Sequence, residues 1–264
     1  HILLIYTGGT IGMVENPLTG SLEPLDFEHL ESNLPELQRF KFQIDHIVFD
    51  PVIDSSEITP DHWRKIVRII EDNYDNYDGF VILHGTDTMA YTASALSFMI
   101  ENLSKPIVLT GAQLPIGKLR TDAKENLITA LEIAADKDHI GNPIVPEVCI
   151  FFQNDLLRGN RSTKVNADNF NAFKSYNYPN LGKSGIQIRY ERKQILQPDF
   201  EKKVRFHYQM DGRIAILKLF PGLDRQTVET ILNIKEIKAV IMETYGSGNA
   251  PLTPWFLDLI RATV

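Results

Sequence analysis

At about 150 residues per domain, the 264-residue chain reads as one large or two moderate domains and is long enough to bury a real core. Hydrophobic residues make up 43% and charged residues 23%, and no run of about 18 apolar residues occurs, so disorder and membrane spanning are excluded. The 34 acidic residues against 27 basic ones leave a net charge of −7, the wrong sign for capturing nucleic acid phosphates, so a small-molecule or protein partner is expected.

In chain order, the sequence opens without methionine, directly into an apolar run, which suggests a trimmed N-terminus. Short β-branched runs at 2–6, 79–83, 106–109, 148–152, 214–219 and 239–242 read as buried parallel strands. The clearest helix begins after Thr59, with Thr59 as cap, Pro60 at the first helical position, and Trp63, Ile66, Val67 and Ile70 on one face. Further helices are predicted over 89–102, 122–136, 225–235 and 254–262. Cys149, the one cysteine, sits in an apolar run and fits neither a disulfide nor a metal spacing, so a core role and a cytoplasmic setting are the expectation. This alternation predicts an α/β fold. A larger N-terminal domain over 1–185, with a mostly parallel sheet covered by helices, is followed by a linker at 186–210 and a smaller C-terminal α/β domain over 211–264. Only two strands and two helices fall in that last part, so it is expected to be incomplete.

The loops at strand ends distinguish the chain. Residues 2–6 run into Thr7-Gly8-Gly9-Thr10, 79–83 into His84-Gly85-Thr86-Asp87-Thr88, 106–109 into Thr110-Gly111-Ala112-Gln113, and 239–242 into Glu243-Thr244-Tyr245-Gly246-Ser247-Gly248. In open α/β sheets ligands bind beyond the carboxyl ends of the strands, so the four loops are expected to converge on one cleft. Glycine lets backbone amides approach an oxyanion closely, and threonine hydroxyls supply nucleophiles. Each piece also has an ordinary reading: Gly8-Gly9 as a tight turn, Asp87 as a helix cap, His84 as a structural histidine and Lys164 as a solvated surface lysine. Other chemistries fail. Gly111 to Lys118 has five residues between its glycines and Leu119 where a phosphate loop needs Ser or Thr; Pro251 breaks a dinucleotide fingerprint at 246–251; and neither metal-ligand spacing nor a serine elbow is present.

Thr7-Gly8-Gly9-Thr10-Ile11-Gly12, His84-Gly85-Thr86-Asp87-Thr88 and Thr110-Gly111-Ala112, in this order, together with Asp54-Ser55-Ser56 and Thr163-Lys164, resemble the asparaginase/glutaminase family of threonine amidohydrolases over essentially the whole chain. Asp54-Ser55-Ser56 and Tyr245 to Pro251 are similar to its cytosolic, type I bacterial branch. The resemblance implies hydrolysis of L-asparagine without a cofactor or metal, with Thr10 as nucleophile and Thr86, Asp87 and Lys164 as a supporting triad. It implies a substrate site of Asp54, Ser55, Ser56, Thr86, Asp87 and Ala112, with Ser55 on the α-carboxylate and Asp87 on the α-ammonium group. Backbone amides of Thr86 and of Gly9 or Thr10 are its candidates for the oxyanion hole. Two domains, sites between subunits of a homodimer or homotetramer, and a lid over 13–27 are further implications. The chain departs from the family in lacking a lid tyrosine between Met13 and Phe27, which leaves Thr19, Ser21 or the triad to assist Thr10. It also has Glu243 where the allosterically regulated enzyme has arginine. Two alternatives stay open: an amidotransferase subunit supplying ammonia for glutamine formation on transfer RNA, and a non-catalytic amino-acid-binding homologue.

Overall fold

The computed structural model describes residues 1–15, 19–24, 34–167, 169–199 and 201–263, and the chain divides into two compact units, His1–Tyr208 and Gln209–Val264. The first is built on eight strands: β1 Ile2–Tyr6, β2 Ile44–Val48, β3 Gly79–Leu83, β4 Ile107–Thr110, β5 Val148–Phe152, β6 Asp155–Arg158, β7 Gly182–Lys183 and β8 Arg189–Tyr190. Their order is β8-β7-β6-β5-β4-β3-β1-β2. Strands β1 to β5 pair in parallel, and β6 to β8 extend the sheet antiparallel. Strands β1, β3, β4 and β5 are apolar almost throughout because both sheet faces are covered there. Ile2, Leu4, Tyr6, Val81, Leu83 and Val108 pack in one core layer with Leu127 and Leu131; Leu3, Ile5, Phe80, Ile82, Ile107 and Leu109 pack in the other with Ile66, Val67, Ile70 and Leu96. Each such fully buried aliphatic side chain contributes about 1.5–3 kcal/mol. Strand β2 has no apolar run; at the sheet edge its side chains are mostly exposed, so pairing with β1 alone makes it a strand.

Helix α1, Pro60–Asn73, starts as its sequence dictates: Thr59 is its extended N-cap, the Thr59 amide donates to His62 Nδ1 at 3.0 Å, and Ile66, Val67 and Ile70 are buried. Helices α2, Met89–Met99, and α3, Ala123–Ala135, follow. Helix α2 is three residues shorter than its pattern predicts. Ile100–Glu101 pairs instead with Arg205–Phe206, and Asn102, at φ 55°, donates its side-chain amide to the Asp199 and Lys202 carbonyls at 2.9 and 2.7 Å. The stretch read above as a linker is therefore bonded into the first unit through Tyr208: the His207 amide donates to the Met99 carbonyl at 2.7 Å, and the Phe206 ring stands edge-on to Tyr74 at 5.7 Å.

The second unit pairs β9, Ile214–Lys218, in parallel with β10, Ala239–Glu243. Leu217 and Leu219 are buried with Val228 of α4, Arg225–Leu232, and Phe256 of α5, Pro254–Thr263. Asp224 caps α4 by accepting from the Thr227 amide at 2.9 Å. No helix among the described residues is long and apolar enough to cross a membrane.

Candidate active site

Strand register brings the first three loops together. Tyr6 lies opposite Leu83 and Leu83 opposite Thr110, so the chain leaves β1, β3 and β4 side by side at their carboxyl ends. Glycines then allow backbone to touch backbone. Gly9 has φ 88° and ψ 166°, a region essentially reserved for glycine, and a Cβ there would lie 2.5 Å from the Gly85 Cα and N. A Cβ on Gly85 would lie 2.5 Å from Ser55 Oγ, and one on Gly111 would lie 2.5 Å from the His84 carbonyl and 3.3 Å from Thr86 Cγ2. Tight turns at these positions thus serve the approach of three loops. The fourth loop, 243–248, belongs to the second unit, where the Tyr245 amide donates to the Asn249 carbonyl at 2.9 Å.

Lys164 is not solvated. It lies on a two-residue strand, Thr163–Lys164, its side chain is only 17% exposed, and its Nζ donates to Thr86 Oγ1 at 2.8 Å and to Asp87 Oδ1 at 2.7 Å. The Asp87 carboxylate therefore faces the ammonium, and α2 begins without a side-chain cap. An ammonium between a hydroxyl and a carboxylate lowers the proton affinity of the hydroxyl, while the carboxylate holds it in place. Thr10 opens the single turn Thr10–Gly12, partly buried, and no described residue hydrogen-bonds its hydroxyl.

Of the three residues 54–56, only Ser55 is buried, against Gly85. Exposed Asp54 caps the turn Ser55–Glu57, accepting from the Ser56 amide at 2.9 Å and the Ser56 hydroxyl at 3.0 Å; these two bonds hold its carboxyl below the usual range. Asp54 and Ser56 thus brace the turn that presents Ser55. Ala112 is 3% exposed and belongs to the core layer that includes Leu127. His84 is 1% exposed and bonded at both ring nitrogens, as a structural histidine would be, and burial lowers its pKa to about 4. In the segment expected to form a lid, Met13–Glu15 pairs with Leu22–Pro24, and the Thr19 and Ser21 hydroxyls lie 2.6 Å apart. Residues 16–18 and 25–27 of that segment lie outside the described residues.

Several supporting residues escaped the sequence reading. Thr88 Oγ1 donates to the Ser55 carbonyl at 2.6 Å, tying the second loop to the turn that presents Ser55. Asp122, 8% exposed, accepts from the Gln113 amide at 3.0 Å and the Leu114 amide at 3.1 Å. Asn126 donates to the Gly111 carbonyl at 2.9 Å and accepts from the Gln153 amide at 2.8 Å. The Gln113 side chain donates to the Ala167 and Asn169 carbonyls, both at 3.1 Å, which joins this loop to the one after Lys164. The available signal was the polar pair Asp122 and Asn126, one helical turn apart at the head of the helix.

A family model described as "Asparaginase, N-terminal" matches residues 1–196. L-asparaginase 1 of Escherichia coli (strain K12) is 43% identical over 98% of this chain and 75% of its own length. The 60 kDa lysophospholipase of Mus musculus is 41% identical over 99% of this chain, which spans 49% of that protein. Among solved structures, L-asparaginase I from Vibrio cholerae O1 biovar eltor str. N16961 superposes with a TM-score of 0.88 at 40% identity, covering 100% of this chain and 77% of that one. The doubly covered parallel sheet, the three converging loops and these similarities have one reading: the chain belongs to the asparaginase family.

Proposed function

We propose that this protein hydrolyses L-asparagine to L-aspartate and ammonia through an ester on Thr10. The observation that carries the reading is the Lys164 ammonium bonded at once to Thr86 Oγ1 and Asp87 Oδ1, beside the glycine-lined contact of the Thr10 and Thr86 loops. In the first half-reaction the Thr10 hydroxyl oxygen bonds to the side-chain amide carbon, and its proton passes to the departing nitrogen, which leaves as ammonia. Water then attacks the ester carbon, its proton passing by way of the Thr86 hydroxyl to the Thr10 oxygen as the ester C–O bond breaks and aspartate leaves, while the Lys164 ammonium stabilises negative charge on Thr86 Oγ1. Backbone amides of the Thr10 and Thr86 loops hold the oxyanion in both steps. Ser55 receives the α-carboxylate and Asp87, 65% exposed, the α-ammonium group, so the amide is presented in one register.

The similarity to L-asparaginase 1 and L-asparaginase I supports this reaction and the type I branch over the amidotransferase alternative, and the complete set of Thr10, Thr86, Asp87 and Lys164 supports an enzyme over a binding protein. A cytoplasmic homodimer or homotetramer belongs to the same proposal, and sedimentation equilibrium reads its assembly. The deciding test is ammonia release from L-asparagine, with L-glutamine alongside, for the parent, Thr10→Ser and Thr10→Ala. Turnover that vanishes in Thr10→Ala and survives in part in Thr10→Ser supports the ester mechanism. Turnover unaffected by Thr10→Ala refutes it.

A further inference from the structure

Behind the site runs a line of hydrogen bonds whose direction is forced by its ends. Trp63 Nε1, an obligatory donor, lies 3.0 Å from Thr92 Oγ1. At the other end the Gly85 carbonyl, an obligatory acceptor, lies 2.7 Å from His84 Nδ1, so that nitrogen carries the proton. A neutral ring then leaves His84 Nε2 as an acceptor, and Thr92 Oγ1, 2.9 Å away, donates to it while accepting from Trp63. His84 and Thr92 are 1% and 0% exposed, so no water competes with these bonds.

The carbonyl held at the end of this line belongs to the Gly85–Thr86 peptide, the one that follows the His84–Gly85 peptide against which the Gly9 and Gly111 loops close. Gly9 and Gly111 crowd the main chain of His84 and Gly85, and Ser55 lies against Gly85. A trans peptide is planar, with C=O and N–H pointing in opposite directions. Pinning the Gly85 carbonyl toward the buried imidazole therefore turns the Thr86 N–H away from the core, and no described residue accepts from that N–H. We propose that His84 is a positioning residue, and that the line Trp63–Thr92–His84 fixes the Gly85–Thr86 peptide so that the Thr86 amide is aimed at the oxyanion of the reaction. The inference rests on the amide hydrolysis proposed above and names a device that serves it.

An oxyanion donor acts in the transition state, so loosening it lowers kcat and leaves KM nearly unchanged. Thr92→Val removes the hydroxyl that orients the ring, and Thr92→Ser keeps it. The expected result is a kcat on L-asparagine about tenfold to a hundredfold lower in Thr92→Val, with KM within about twofold and most of the rate restored in Thr92→Ser. A second measurement needs no variant activity: nitrogen-15 NMR of the parent's histidines, with His84 assigned by its loss in His84→Gln, is expected to show the Nδ1–H tautomer at neutral pH. An Nε2–H tautomer or an imidazolium there overturns the proposal, as does a folded Thr92→Val with unchanged kcat. A parent that carries the Nδ1–H tautomer but does not hydrolyse L-asparagine overturns the functional reading, and the positioning role falls with it.

Discussion

Replacing Gly9 by alanine tests the claim that glycine is required where the loops meet. Gly9 combines φ 88° with a Cβ position 2.5 Å from the Gly85 Cα and N, both main-chain atoms that cannot rotate aside. The backbone conformation costs a non-glycine residue about 1–3 kcal/mol. Relieving the overlap by shifting either loop costs about 1–3 kcal/mol more. The sum, about 2–6 kcal/mol, lowers the melting temperature of a unit this size by at least about 4 °C. Two controls separate the contributions. Gly141 has a similar φ of 90° with nothing near its Cβ position, so Gly141→Ala carries a conformational cost alone, about 1–2 kcal/mol. Gly185 has neither feature, its nearest atom being 3.9 Å away, and Gly185→Ala is neutral to within about 0.5 kcal/mol. Thermal melts followed by circular dichroism rank the three. A Gly9→Ala protein that melts with Gly141→Ala would refute the crowding argument, and one that melts with the parent would refute both parts.

Lys164→Met, which keeps the apolar stem and removes the ammonium, lowers kcat by about a hundredfold or more in a steady-state ammonia assay, and Lys164→Arg does not restore it because a planar guanidinium cannot place one compact charge against both Thr86 Oγ1 and Asp87 Oδ1. Glu147 and Arg158 form a buried pair at 2.6 Å, 5% and 11% exposed, in which Glu147 also accepts from the Leu196 amide at 2.9 Å. Arg158→Leu strands that carboxylate and costs about 3–5 kcal/mol, read as a lower urea midpoint at unchanged slope; an unchanged midpoint contradicts it. The depressed pKa of His84, about 4 against 6.5, means that between these values the unfolded chain binds a proton that the folded one refuses. Its contribution is whole above about pH 6.5 and is lost as pH falls toward 4, on the order of 3 kcal/mol in all. Urea midpoints of the parent and His84→Gln at pH 7.5 and 4.5 check this, and an equal acid-side loss in both proteins counts against it.

The asparaginase assignment and the alternation of strand and helix were legible in the sequence because they depend on local pattern. Apolar runs of five residues set β1, β3 and β5, Thr59-Pro60 set the start of α1, and hydroxyl-and-glycine strings marked the loops after β1, β3, β4 and β10. What local pattern does not encode is the partner of each group. Asp87 read equally well as a cap and as a catalytic carboxylate; in the structure α2 has no side-chain cap, and Lys164 meets Asp87 from 77 residues away. Lys164 itself sits in an unremarkable polar stretch, and its burial follows from the pairing of Thr163–Lys164 with Phe173–Lys174. Strand β2 exists because β1 offers an unpaired edge, and α2 stops at Met99 because Arg205–Phe206, a hundred residues on, takes up the chain that follows. The sequence thus determined which residues are chemically equipped to act. Tertiary structure decided which of them meet, because hydrogen bonds and ion pairs depend on distances in space that residue spacing along the chain does not contain.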